Sequence, residues 1–497
     1  MNKYTRLFSL SLLSSALLAP AAHAAVSAEE AKRLGQDLTP VGAERAGNAS
    51  GTIPEWTGGM AADAAAVDSD GFFADPFAGE QPLYTVTAAN MDQYAELLTA
   101  GQKAMLQRYP DTYKLRVFQT NRSATVPQEV FDAVARNAVN TRLVEGGNGL
   151  ENFDTAYPFP IPQSGVEVIW NHITRYRGGS FERAIAQATP QANGSNTMVI
   201  LQDAFSFATA LTDYGPKISD NLMFYFTQRI LSPSRLAGDV LLVHENINQL
   251  KEPRAAWMYN AGQRRVRRAP QVAYDGPAFS ADGTRVSDNY DLYNGSPDRY
   301  DWKLVGKREL LIPYNNFAIA SRELKYDDII QQGHINQDLV RYEVHRVWEV
   351  EATLREGQRH VYAKRHFFID EDNWQAGEID HYDGRGGLWR VAEAIALQRF
   401  DLKIPGYALE TLYDLQNGRY MALGMTNEER KNYDFSFEAS SADFTPNALR
   451  AAGAVVEVVV CAIDRSPEGE NPLADVGLDV RPVLTRAQLD AASRAAG

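Results

Sequence analysis

Between about residues 174 and 444 the chain runs in short segments that alternate apolar and polar side chains, each closed by Gly, Pro, Asn or Asp. That pattern belongs to strands joined by tight turns. Arg341 to Thr353 shows it cleanly, with Tyr342, Val344, Arg346, Trp348 and Val350 on one side, and His360 to Asp370 repeats it after Gly357. The centre of the series is Asp239 to Pro277. There Val240 to Asn246 is rich in Val and Leu, Ala255 to Tyr259 follows Pro253, and Asn260-Ala-Gly-Gln263 supplies a turn before the basic run Arg264 to Arg268. Gly262 is expected to take the positive φ of that hairpin.

Roughly ten such runs at this spacing predict one long antiparallel sheet, and the lack of a fixed-period repeat argues against a propeller. A sheet rich in Phe, Trp, Tyr and Leu must cover its apolar face, because each such side chain gains about 1.5 to 3 kcal/mol on burial. The N-terminal part supplies helices for that cover. Asn90 to Arg108 reads as one helix, Pro127 to Arg142 as a second and Gly165 to His172 as a third, while Ser27-Ala-Glu-Glu30 is a capping box for a short first one. Trp56 pins an otherwise turn-rich stretch from Leu38 to Gly59. The fold class expected is α+β, a large antiparallel sheet with helices packed on it.

At the N-terminus Lys3 and Arg6 precede the apolar run Leu7 to Leu18 and the small-residue pattern Ala22-His-Ala24, which reads as an export signal cleaved after Ala24. Cleavage removes two cations and takes the formal charge from −14 to −16. So acidic a chain disfavours nucleic acid or an anionic membrane as its main partner. The single cysteine, Cys461, permits no internal disulfide. Four regions are expected: signal 1–24, helical and looped region 25–155, sheet 156–450, and an atypical, poorly ordered tail 451–497.

Apolar lining candidates are Phe205, Phe207, Phe224, Phe226, Trp257 and Trp348. Arg264, Arg265, Arg267 and Arg268 form the strongest local charge, either a charged edge strand that resists aggregation or a docking patch for an acidic partner or lipid phosphate. His345, His360, His366 and His381 with Asp370, Asp372, Asp380 and Asp383 raise an acid–base or metal reading, yet their spacing fits no zinc signature, and no nucleophile elbow or phosphate loop is present. A membrane barrel fits poorly with the helical first third. No cofactor or metal is expected.

Several motifs then carry a resemblance. Leu38-Thr-Pro-Val-Gly-Ala-Glu-Arg-Ala-Gly-Asn-Ala49 with Gly51-Thr-Ile-Pro-Glu-Trp-Thr-Gly-Gly59, Pro158-Phe-Pro-Ile-Pro162 with Ile169-Trp-Asn-His172, and Trp257-Met-Tyr followed by Arg264-Arg-Val-Arg-Arg268 resemble a bacterial family of exported proteins of unknown function. That family is related to the LolA/LolB-like outer-membrane lipoprotein-sorting proteins, and the resemblance spans about Ala25 to Leu449. It implies a curved half-barrel whose concave apolar face is plugged by helices and receives acyl chains, in a periplasmic protein working beside inner-membrane RND or MMPL-type transporters or at the outer membrane. The expectation is a non-enzymatic carrier or adaptor for a lipid or other hydrophobic molecule. The alternatives are a hydrolase or metal enzyme using the polar cluster, or a structural envelope protein.

Overall fold

In the computed structural model residues 26–449 are described, with the backbone of 458–464 and 479–485. The export signal at 1–24 and most of the tail lie outside the described residues. The strands are β1 (Tyr84–Val86), β2 (Leu115–Val117), β3 (Arg142–Val144), β4 (Gly149–Glu151), β5 (Ser180–Ala188), β6 (Met198–Phe207), β7 (Leu222–Ser232), β8 (Val240–Asn246), β9 (Ala255–Asn260) and β10 (Arg265–Arg268). Then come β11 (Tyr300–Pro313), β12 (Tyr342–Leu354), β13 (Lys364–Asp370), β14 (Ala376–Tyr382), β15 (Leu388–Arg399), β16 (Ile404–Asp414) and β17 (Tyr420–Met425). Val458–Asp464 and Asp479–Thr485 pair with each other in parallel.

Fifteen strands make one open, curved sheet in the order β1-β2-β12-β13-β14-β15-β16-β17-β5-β6-β7-β8-β9-β10, with β11 also on β12. It consists of two antiparallel meanders, β11 to β17 and β5 to β10, joined where β17 meets β5 through Ala422/Ala188, Leu423/Gln187 and Met425/Ala186. Only the contact of β2 with β12, at Val117/Tyr342, is parallel. β3 and β4 form a separate hairpin.

The helices are α1 (Ala28–Ala31), α2 (Ala100–Arg108), α3 (Gln128–Asn140), α4 (Gly165–Thr174) and α5 (Tyr326–Ile329). α4 lies against β11 and β12 and is the deepest of them. Its Val168, Ile169, Trp170 and Ile173 join one large apolar cluster with Phe181, Ile185, Phe205, Phe367 and Leu412 of the sheet. Gly165 lets its first turn approach the β11 backbone, since a Cβ there would stand 2.9 Å from the Lys303 carbonyl carbon. α2 covers the other face, where Met105 and Leu106 pack with Val391, Ile395, Leu409 and Tyr413. β15 and β17 are therefore buried on both sides almost throughout, whereas the alternation in the sequence pointed to one covered face.

Two expectations change in detail. Asn90 to Arg108 is two pieces, Met91–Leu97 in 3₁₀ geometry and α2, because the Thr99 hydroxyl and the Gln102 amide cap each other's backbone and start a new helix. In the β9–β10 hairpin the left-handed residue is Arg264, at φ 52°, and not Gly262. Asn260 Oδ1 accepts the Gln263 N–H and Asp239 Oδ1 accepts the Ala261 N–H, so the side chains close the first half of the turn and displace the strained torsion to its end.

Candidate functional site

The segment between α4 and β5 and the loops at one end of β15 and β16 meet around a pocket. Its apolar wall is Phe181, Phe205, Phe224, Ile404 and Phe435, and it encloses a cavity of about 50 Å³. Phe205 stacks on Phe181 at 5.1 Å and meets Phe224 at 4.9 Å. A second cavity of about 50 Å³, walled by Phe224, Phe226, Leu241 and Val243, begins beyond Tyr290, and Phe224, Tyr290 and Asn294 face both. Tyr290 is the partition, and its ring lies 5.1 Å from that of Phe226. Each space suits a water or two rather than an acyl chain.

Tyr433 and Phe435, half-buried and stacked at 5.7 Å, form the outer cover. Their segment is held on β5 by two backbone hydrogen bonds, Glu182 N–H to the Asp434 carbonyl at 3.0 Å and Asp434 N–H to the Glu182 carbonyl at 2.8 Å.

The polar part of the wall is cationic. Arg175 and Arg177 both bind the Asp291 carboxylate, which they hold far below the usual carboxylate range against the opposing cost of burial. His172 anchors the same loop: its Nδ1 accepts the Ala376 N–H at 3.1 Å and its Nε2 lies 3.2 Å from the Asp291 carbonyl oxygen. Burial pushes its pKa down to about 3, so the ring is neutral. Arg183 pairs with Asp203 at 2.8 Å and donates to the Tyr290 hydroxyl at 3.0 Å. Arg399 lies over the Tyr433 ring at 3.8 Å.

Of the six lining residues expected from the sequence, the structure brings four together: Phe205, Phe207, Phe224 and Phe226 lie on one face of β6 and β7, and the first two meet edge-on at 4.9 Å. Trp257 is on the opposite face. Phe226 is level with Val243 and that with Ala256, so alternation turns Trp257 the other way, into a cluster with Leu242, Tyr259 and Phe444. Trp348 stands apart, stacked on Trp374 at 6.0 Å and beside a groove of about 540 Å³ that Glu44, Pro160, Ile161 and Lys307 share. The sequence reading missed the arginines of the pocket, which come from three places, the segment after α4, β5 and the end of β15, and carry no spacing signal.

The basic run takes the outer edge of the sheet. Arg264, Arg265, Arg267 and Arg268 are all exposed, none has an ion-pair partner among the described residues, and Arg268 covers the Trp257 ring at 5.0 Å. Exposed charge on an unpaired edge blocks further strand addition. Arg264→Glu combined with Arg268→Glu is expected to lower unfolding free energy by no more than about 1 kcal/mol, as measured by urea titration, because both side chains are exposed and only the contact of Arg268 with Trp257 is lost.

The histidine and aspartate constellation is divided. His345, Asp370 and Asp372 offer ligand atoms within 4.8 Å of one another, but Arg122 clasps Asp372 at 2.6 Å, Tyr314 donates to Asp370 at 3.2 Å, and His345 Nε2 is engaged by Glu343 at 3.2 Å. His360 pairs with Asp288 and His381 with Asn289, while His366 reaches Glu349. Asp380 belongs to a buried acid cluster with Glu378 and Glu393, which are cross-strand neighbours on β14 and β15. The Gly101 N–H at the start of α2 donates to Asp380 at 3.1 Å, the Thr99 hydroxyl to Glu378, and Tyr342 and Tyr113 to Glu393 at 3.1 and 3.3 Å. No cation pairs with the three among the described residues. Burial, then the neighbouring Asp380, push Glu378 well above the carboxylate range, and burial takes Asp380 and Glu393 up to about 7.

Sheet and covering helices define an open α+β architecture with a small apolar pocket inside it. The family model described as "Protein of unknown function (DUF1329)" matches residues 85–450, and the chain belongs to that family. It is 65% identical over 442 residues to Uncharacterized protein PA3922 of Pseudomonas aeruginosa, covering 89% of this chain and 97% of that one. A stretch of 48 residues is 81% identical to orotate phosphoribosyltransferase of a Nocardioides species, covering 27% of that enzyme. Among solved structures it is similar to a DUF1329 family protein from Desulfovibrio piger (TM-score 0.38, 14% identity, 55% of this chain and 92% of the other). It is also similar to a LolA superfamily protein from Nitrosomonas europaea (TM-score 0.35, 13% identity, 58% and 100%). No helix among the described residues is long and apolar enough to cross a membrane.

Proposed function

We propose that this protein is a non-enzymatic carrier of a lipid or other hydrophobic molecule in the bacterial envelope, and that the ligand enters the phenylalanine-walled pocket between β5, β6, β7 and β16. The observation that carries this reading is the pair of adjoining apolar cavities, separated by one tyrosine and closed outside by two aromatic rings on a short irregular segment. Swinging Tyr433 and Phe435 outward and turning Tyr290 aside joins the two spaces. Each methylene then buried contributes about 0.8 kcal/mol. The export signal read at the N-terminus supports a periplasmic setting for such a carrier, with an RND or MMPL-type transporter or an outer-membrane protein as donor or acceptor.

The test is purification of the mature protein from the periplasm, followed by organic extraction and mass spectrometry, with a fluorescent fatty acid as the added probe. A stoichiometric hydrophobic compound and saturable probe binding are expected. Phe224→Trp, which fills both cavities, should weaken the probe at least tenfold while costing about 1 to 3 kcal/mol of stability from overpacking. A protein that emerges empty and binds no probe is an adaptor or structural component instead.

A further inference from the structure

Arg399 differs from every other arginine of the pocket. It is 5% exposed, yet among the described residues it makes no ion pair and no hydrogen bond; its contacts are with the faces of Tyr433 and Phe435, at 3.8 and 5.9 Å. Arg177, on the same wall, spends Nη2 on Asp291 and the Ile173 carbonyl and leaves a buried Nη1 with no partner. Four guanidinium groups thus face the pocket, against the two carboxylates they reach, Asp203 and Asp291.

A buried guanidinium without a counter-ion is costly, and a single aromatic face offsets only part of that cost. No carboxylate among the described residues pairs directly with Arg399, so an anionic group on a ligand is the complement its wall lacks. Burial and the nearby Arg183 charge disfavour its cationic form, while Tyr433, Asp401 and Tyr407 favour it; the balance still lies below the usual arginine value.

We propose that the molecule carried is an anionic amphiphile, with a carboxylate or phosphate head seated against Arg399 at the mouth of the pocket and its apolar body among the phenylalanines. This rests on the carrier reading above. Arg399 presents a planar fork suited to two oxygens of such a head, and Nη1 of Arg177 is a further donor on the same wall. Because the cover rings Tyr433 and Phe435 are also the partners of Arg399, head-group binding and opening of the cover use the same contacts: an anion that takes the guanidinium releases the rings.

The experiment is calorimetric titration of the delipidated mature protein at pH 8 with four sixteen-carbon probes: palmitate, hexadecanol, hexadecyltrimethylammonium and palmitoyl lysophosphatidate. Palmitate or lysophosphatidate is expected to bind at least tenfold more tightly than hexadecanol, and the cation most weakly; which anion leads distinguishes a fatty-acid head from a phospholipid head. Arg399→Gln should bring palmitate and hexadecanol to within about threefold of each other, and Arg399→Lys should restore part of the preference. Equal affinity for palmitate and hexadecanol in the parent protein overturns the inference and leaves the carrier reading standing, as does a preference that survives Arg399→Gln. Absence of binding by all four overturns both. The parent series decides the matter even if the Gln variant does not fold.

Discussion

Replacing Trp170 by alanine is expected to lower the unfolding free energy by about 3 to 5 kcal/mol, the range for emptying a tryptophan site in a close-packed interior. Trp170 is 2% exposed at the centre of α4, and its indole N–H donates to the Gly147 carbonyl at 2.9 Å, so the substitution also orphans a buried acceptor. The helix around it is tied down at each end. The Glu167 carboxylate accepts the Ser164 N–H at 3.1 Å, and Asn171 clamps the Phe159 backbone through both its amide atoms, at 2.8 and 2.7 Å. The family resemblance implies a concave face plugged by helices, and α4 is the helix packed deepest on the sheet. Its burial makes it core, and the proposed carrier reading assigns the opening instead to the Tyr433–Phe435 segment, which two backbone hydrogen bonds hold on β5. Guanidinium titration monitored by circular dichroism measures the difference; a loss below about 1 kcal/mol would mean that α4 is a loosely seated plug after all.

The second large effect is on pH dependence. Asp380 and Glu393, at about 7 in the fold against about 4 in an unfolded chain, bind more protons folded than unfolded between those limits. Their contribution is therefore favourable at low pH and is lost as pH rises from about 4 through 7. His172, pushed down to about 3 by burial, works in the opposite direction, gaining stability as pH rises from about 3 to 6.5. The two slopes separate in a variant. Asp380→Asn keeps an oxygen for the Gly101 N–H but does not ionise, so its stability relative to the parent should rise with pH, by on the order of 2 to 4 kcal/mol between pH 5 and pH 8. Thermal unfolding of both proteins across that range checks it, and parallel curves would show that Asp380 does not titrate in the window.

How much of this was legible in the sequence differs element by element. Strands with clean alternation, such as β12 and β13, could be read because each has one face richer in wide apolar side chains. β5 could not: Ser-Phe-Glu-Arg-Ala-Ile-Ala-Gln-Ala lacks β-branched residues apart from Ile185, and its place in the middle of the sheet is set by pairing with β6 and β17. Four of the six aromatic lining candidates share a face because β6 and β7 are paired in the register their alternation allows. Trp257 went to the wrong face since period two says which residues share a side but not which side is inner. The arginines of the pocket had no pattern to betray them. Arg399 ends a strand, Arg175 and Arg177 follow a helix, and Asp291 sits in a stretch that reads only as turns.

The seam between β17 and β5 also bears on how the chain assembles. Each meander is stitched by hairpins between neighbours in sequence, whereas the seam joins strands more than two hundred residues apart through three residue pairs, with Gly424 at φ 113° carrying the irregularity beside them. Loop closure over that span is rewarded only once both flanking sheets exist, so the seam belongs to the last stage of folding. Substitutions at Ala422 or Ala188 should then speed unfolding and leave the folding rate nearly untouched.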